Sequence, residues 1–275
     1  MNPAVGLTIA GTDSGGAAGI AADLATFAAH GVHGACVVTA VTAQDTTGVR
    51  AVHPVPYEVV EAQIDAVLDD LPVAVVKTGM LGTADVVRLV ADRLVRLTPG
   101  SDPVSGGRPG LVVDPVLVAT SGAVLGDDEV IRAYLDHLLP VATVITPNID
   151  EARALLGVDD TPAALSRRLA ELGPAVVLTG GGSDIAACTD WVALPGLEPV
   201  PLPHLAVETT NDHGTGCTFS AALAAALAGG HPIPECVRRA AAYTTRQLHT
   251  SRTWTLGRGR GPVAHIQSPT EGEAP

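Results

Sequence analysis

The stretch Val5-Gly6-Leu7-Thr8-Ile9-Ala10-Gly11-Thr12-Asp13-Ser14-Gly15-Gly16-Ala17-Ala18-Gly19-Ile20 decides the reading of the fold. Its first six residues form a nearly unbroken apolar run, the pattern of a strand buried on both faces of a parallel sheet. A glycine-rich turn follows, and then a segment of helical period that carries Asp23. Glycines at a strand-to-helix junction let a ligand approach the backbone and expose amides to its polar groups. The Gly-Lys-Ser/Thr ending of a P-loop is missing, so this is not that phosphate cradle. A tight turn without a ligand explains the same glycines, and a solvated helix position explains Asp23.

The same order of strand, loop and helix repeats along the chain. Apolar runs at 35–42, 74–78, 111–114, 143–146 and 175–179 alternate with helical patterns at 17–30, 56–69, 84–97, 127–138, 149–156 and 162–172. Such alternation predicts an α/β fold of three layers around a mostly parallel central sheet. Segments 191–194 and 198–203 read as a short antiparallel pair, followed by terminal helices at 215–228 and 234–250. Residues 98–109, TPGSDPVSGGRP, form a polar loop, and residues 266–275 read as a disordered tail. With no internal repeat, the expectation is a single domain over residues 1–265.

Composition narrows the function classes. The chain has 275 residues, 47% hydrophobic, with 29 acidic against 16 basic side chains and a net charge of -13, so it folds and is acidic. An acidic chain without a run of cations lacks the footprint of a nucleic-acid binder and does not dock on anionic membrane. No stretch reaches the roughly 20 apolar residues of a spanning helix, and MNPAVGLTIAG lacks the basic region of a signal peptide, so the expected location is the cytoplasm. Cys36, Cys188, Cys217 and Cys236 show no CxxC pairing, which disfavours zinc and disulfides. One lysine, Lys77, stands among the basic residues; all the others are arginines.

In open parallel sheets, ligands bind beyond the carboxyl ends of the strands, so polar residues there are the candidates. Asn211-Asp212-His213-Gly214-Thr215-Gly216-Cys217 precedes a small-residue helix. Successive amides at Gly214, Thr215 and Gly216 favour an anion there. A thiol in that first turn is expected to have a lowered pKa and to serve as base or nucleophile. Cys217 as a small buried hydrophobe and Thr215 as a helix cap account for the same residues. Asn148 and Glu151 have capping-box spacing, and Glu151 and Asp114 are also hard-oxygen ligands for a nucleotide-bound magnesium. Asp114 also reads as a plain strand end. Gln44 ends an apolar run and can both donate to and accept from a heterocycle edge, while Met80 is ligand wall or ordinary core.

Taken in order, AGTDSGGAAGI, AVTAQDTTGV, VVKTGML, VVDPV, TPNIDEA and NDHGTGCTFSAALAAALA resemble the hydroxymethylpyrimidine/phosphomethylpyrimidine kinases, members of the ribokinase-like superfamily. The resemblance covers about residues 4–265. It implies a ribokinase-like three-layer fold, a homodimer, and transfer of the ATP γ-phosphate to the hydroxymethyl group of a pyrimidine and then to its monophosphate in thiamine biosynthesis. Carried over, it makes Gly214, Thr215, Gly216 and Cys217 the anion hole and catalytic group, with Cys217 taking the substrate hydroxyl proton. Asp23 and Gln44 become polar contacts to the pyrimidine, lined by Gly11, Ala18 and Met80. Asn148 and Glu151 match the magnesium and phosphate motif, with Asp114 nearby.

Two departures stand out. The family's Lys-Gly-Gly-His, whose lysine reaches the ATP phosphates, reads Thr179-Gly180-Gly181-Gly182. The late Gly-His-Gly-Pro-like segment on the nucleotide side reads Gly257-Arg258-Gly259-Arg260-Gly261-Pro262, so Arg258 or Arg260 is expected to contact the phosphates instead. Solvent exposure explains both arginines equally simply. Besides the pyrimidine kinase, two readings stay open: a pyridoxal kinase of the same subgroup, and a non-catalytic pyrimidine-binding protein with a decayed ATP site.

Overall fold

The computed structural model describes residues 2–96, 109–117, 126–180 and 187–266. The expected loop at 98–109, except its last residue, and the expected tail beyond Ile266 lie outside the described residues. Among the described residues, eight strands form one sheet. β1 (Val5–Ala10), β2 (His33–Val38), β5 (Val73–Thr78), β6 (Gly110–Val113), β7 (Val144–Ile145) and β8 (Ala175–Leu178) run parallel. β9 (Ala187–Ala193) and β10 (Val200–Leu205) add an antiparallel edge, giving the order β10-β9-β8-β7-β6-β5-β1-β2.

Neighbouring residues along the strands feed opposite faces, as the pleat dictates. Val76, Leu111, Val113, Val176 and Leu178 join one apolar cluster, which receives helices α2 (Tyr57–Leu68), α3 (Ala84–Arg96), α5 (Ile149–Leu156) and α6 (Pro162–Ala170). Val75, Val112, Val144 and Val177 join the other, which receives α1 (Gly19–Ala29), α7 (Thr215–Ala228) and α8 (Ile233–Ser251). Two clusters on the two faces make three layers. Helix α7 is buried almost all round, with Ala221, Ala222, Leu223 and Ala224 fully inaccessible. Its alanines let it lie close to α1, α8 and strands β1, β5 and β6 together.

The expected strand at 35–42 divides. Thr39 leaves the sheet, its hydroxyl donating to the Met80 carbonyl at 2.6 Å. β3 (Ala40–Asp45) then pairs with β4 (Gly48–Pro54) in a separate antiparallel hairpin. Along β3, buried and exposed residues alternate, which marks a strand covered on one face. β4 has no sequence signature, because most of its side chains are exposed and polar or small. The helix expected at 127–138 ends as α4 (Asp128–Ala133), capped by Asp127, and continues as a π-turn, Tyr134–Leu138. Among the described residues, no helix is long and apolar enough to cross a membrane.

Candidate active site

Polar side chains gather where the parallel strands end. Beneath them lies an ion pair with no solvent exposure at either side chain: Lys77 Nζ, on β5, sits 2.8 and 3.0 Å from the two carboxylate oxygens of Asp23, on α1. Thr8 donates to the same carboxylate at 2.6 Å. Asp114, directly after β6, approaches Lys77 Nζ to 4.0 Å and accepts from Ser220 of α7 at 3.0 Å. Burial disfavours the Lys77 ammonium, but the Asp23, Cys217 and Asp114 charges outweigh it and raise its pKa. This corrects the expected role of Asp23: its carboxylate is enclosed by Lys77 and Thr8 and is not offered to a ligand.

Gly214 caps α7 in the left-handed conformation, φ 90°, where an added Cβ would collide with the Ala17 carbonyl oxygen. Only glycine lets the helix start against the glycine-rich turn. The amide of Thr215 is taken by the Asp212 carbonyl at 3.2 Å. The amides of Gly216 and Cys217 therefore carry the helix's positive end, since first-turn amides have no carbonyl within the helix. The expected lowering of the Cys217 pKa is overturned. Burial pushes the thiol up to about 12, Asp114 and Asp23 add to that, and Lys77 and a hydrogen bond from Gly19 counteract only part.

Two cavities meet at Cys217 and Val116. The smaller is lined by Gly11, Gln44, Met80 and the hairpin residues Val49 and Val52. Ala18 is absent from its wall; the Ala18 amide donates instead to Asp13 at 2.9 Å. The larger is a cleft of about 660 Å³ whose wall includes Asp114, Asn148, Glu151, Thr179, Gly216 and Arg260.

In the cleft, Asn148 and Glu151 form the capping box their spacing predicts, with bonds of 2.9 and 3.0 Å. Glu151 is buried and its pKa is raised to about 8, by burial first and then by Asp114. Burial likewise raises Asp114, against the pull of Lys77 and Ser220. Two buried carboxyls that resist ionisation in one cleft suit a hard divalent cation. Among the described residues, no group of three or more candidate ligands forms a metal cage. Magnesium held by one or two carboxylates plus substrate phosphates needs none.

Thr179 lines the cleft, and Gly181 lies outside the described residues. Of the two arginines, Arg260 faces the cleft and pairs with Asp212. Arg258 is turned to solvent beside Asp45, which corrects its assignment to the nucleotide site. Sequence reasoning assigned no site role to Asp13, His213 or Lys77. All three sat inside quoted motifs, and Lys77 was also visible as the single lysine.

Parallel strands that end on one cleft, with a helix N-terminus opening into it beside buried carboxyls, define a ribokinase-like phosphotransferase. A hydroxymethylpyrimidine/phosphomethylpyrimidine kinase from Rhizobium meliloti is 45% identical over 96% of this chain and 97% of that protein. The family model for phosphomethylpyrimidine kinase matches residues 13–264. The chain belongs to the phosphomethylpyrimidine kinase family. Among solved structures, Bacillus subtilis pyridoxal kinase in its ADP complex superposes with a TM-score of 0.83 at 32% identity, covering 96% of this chain and 97% of that one. A phosphomethylpyrimidine kinase from Clostridium difficile gives 0.72 at 34% identity, covering 88% and 98%.

Replacing Lys77 by Met removes the counter-charge of two buried carboxylates, and urea denaturation is expected to show a loss of about 3–5 kcal/mol. The double variant Lys77→Met/Asp23→Asn should recover much of it.

The raised Glu151 pKa has a defined sign. Between the ordinary value of 4.5 and the folded value of about 8, the native state holds a proton that the unfolded chain releases, so stability falls as pH rises through that window. Glu151→Gln keeps an acceptor for the Asn148 amide but cannot ionise. Melting curves of the ligand-free proteins should therefore show the variant gaining on wild type steadily from about pH 5 to about pH 8.

Proposed function

We propose that this protein transfers the γ-phosphoryl group of ATP to the hydroxymethyl oxygen of 4-amino-5-hydroxymethyl-2-methylpyrimidine and then to its monophosphate, in thiamine biosynthesis. The observation that carries this is the meeting of the two cavities at Cys217. A ring in the small pocket, against Gly11, Gln44 and Met80, directs its hydroxymethyl group at the same point that a γ-phosphate in the large cleft reaches. Phosphoryl transfer depends on such positioning and on charge neutralisation more than on covalent work. The relatives' names and the ADP-bound neighbour support the same reading.

Asp114 and Glu151 would hold magnesium, which neutralises phosphate charge when bound. The amides of Gly216 and Cys217 stabilise the charge that develops on the transferred group. Arg260 supplies the cation that Thr179 lacks. The ligand-free Cys217 is a thiol and takes no proton in that state. Asp114 is one of the charges that keep the thiol protonated. For Cys217 to act as the base its thiol proton must first pass to solvent, and Lys77 would stabilise the thiolate that then accepts the substrate hydroxyl proton. The proposed location is the cytoplasm, where ATP is available to a kinase. The hairpin exposes Val41 on the side away from the small pocket, a side chain that a homodimer would cover.

An ADP-release assay with the pyrimidine, its phosphate and pyridoxal tests the reading. Turnover of both pyrimidines is expected, with Cys217→Ala losing about 100-fold or more in kcat while calorimetric affinity for the pyrimidine holds. Pyridoxal is the competitor favoured by the superposition with pyridoxal kinase. A higher kcat/KM for pyridoxal would establish it, and pyrimidine binding without turnover would establish a binding protein.

Steady-state kinetics separate the arginines. Arg260→Ala should raise the ATP KM about tenfold, the low end for a hydrogen bond to a charged group, because Arg260 is half-exposed. Arg258→Ala should leave it unchanged.

A further inference from the structure

Three side chains from distant parts of the chain converge beside the small pocket. Asp13 lies in the turn after β1, Gln44 on β3, and His213 just before α7. His213 Nε2 is 3.1 Å from Asp13 Oδ2 and 3.0 Å from Gln44 Nε2. We propose that His213, held by Asp13, fixes the side-chain amide of Gln44 in one orientation and so makes the pocket selective for an amino donor beside a ring acceptor. This rests on the pyrimidine reading above and makes His213 a positioning residue for specificity.

The argument starts from Asp13. Its Oδ1 accepts the Gly15 amide at 2.8 Å, and its Oδ2 accepts the amides of Ala17 and Ala18 at 3.1 and 2.9 Å. Backbone amides only donate, so Asp13 is an acceptor throughout. Burial opposes its charge, but His213 and the amides outweigh that and lower its pKa. A carboxylate at 3.1 Å demands a proton on His213 Nε2.

That proton decides Gln44. Two N–H groups cannot share a 3.0 Å contact, so the amide must turn its oxygen to His213. A 180° rotation of the amide exchanges Oε1 and Nε2 and moves no other heavy atom. The backbone of Gln44 is pinned meanwhile: its amide donates to Ser14 Oγ at 2.8 Å, and Ser14 Oγ donates to its carbonyl at 2.6 Å. In this orientation the oxygen keeps a second lone pair for a ligand donor, and the nitrogen offers its protons to a ligand acceptor.

That pair of groups matches the amidine edge of a 4-aminopyrimidine, where an amino group adjoins an unprotonated ring nitrogen. A 4-oxopyrimidine of the same shape reverses the pattern, with a ring N–H beside a carbonyl. An unrestrained glutamine would rotate and take either; a restrained one leaves donors and acceptors mismatched with the oxo ring.

Calorimetric titration of 4-amino-5-hydroxymethyl-2-methylpyrimidine and its 4-oxo analogue decides the matter. Wild type should prefer the amino ring by about 10- to 100-fold, the cost of buried groups left unpaired. His213→Leu, which donates nothing, should bring the two rings near parity. His213→Gln, whose amide can still donate to Asp13 and Gln44, should restore the preference. A His213→Leu variant that keeps the full preference overturns the proposal. Wild type that phosphorylates the amino ring but binds both rings equally overturns it while leaving the proposed activity intact, and this arm stands whether or not His213→Leu folds. Wild type that binds neither ring overturns both.

Discussion

The site is assembled on the buried contact between Lys77 and Asp23. An ammonium and a carboxylate with no solvent exposure are tolerated only when each is held by the other. Here the demand for partners ties β5 to α1 directly, to β1 through Thr8, and to the end of β6 and to α7 through Asp114 and Ser220. A hydrophobic pair would fill the same space without specifying which strand end lies beside which helix. The charges do specify it, and they place Cys217 at the edge of the arrangement, where it feels Lys77, Asp114 and Asp23 at once.

Much of the fold was legible in the sequence because buried parallel strands announce themselves as apolar runs. β1, α5 and α7 fall on the expected residues. The hairpin of β3 and β4 was hidden for the opposite reason. It is half-exposed, so its residues carry no demand for hydrophobicity, and only Thr39 separates its first strand from the run that forms β2. The site was legible by position, since residues after strand ends are where ligands bind, but not by pairing. Asp23 shows the limit. Nothing in its local sequence reveals that the lysine 54 residues later turns it from a ligand contact into an internal counter-ion.

Cys217 illustrates a competition that sequence cannot score. A helix N-terminus lowers a thiol's pKa, and that effect is present in the fold. Desolvation acts against it, as do two neighbouring carboxylates, and together they prevail. Chain order gives the first influence, while the others need the third dimension. Arg258 and Arg260 make the same point on a smaller scale, two residues apart, one facing solvent and the other the cleft.

The acidic character of the chain, a net charge of -13, becomes a local problem at the cleft. Asp23 and Asp114 flank the buried Lys77, Glu151 shares the cleft with Asp114, and burial has raised the pKa of both cleft carboxyls. A second lysine would neutralise them permanently and leave no charge for a metal to meet. Leaving them under-compensated lets Glu151 keep its proton near neutral pH, in place of a missing cation. Such a site repels a bare polyanion weakly, and a divalent cation arriving with the phosphates would take the place of that proton and meet the negative charge of both carboxylates. On that logic the scarcity of lysine is compatible with the proposed handling of ATP: positive charge would come from helix amides, from Arg260 at the rim, and from a metal bound with the phosphates.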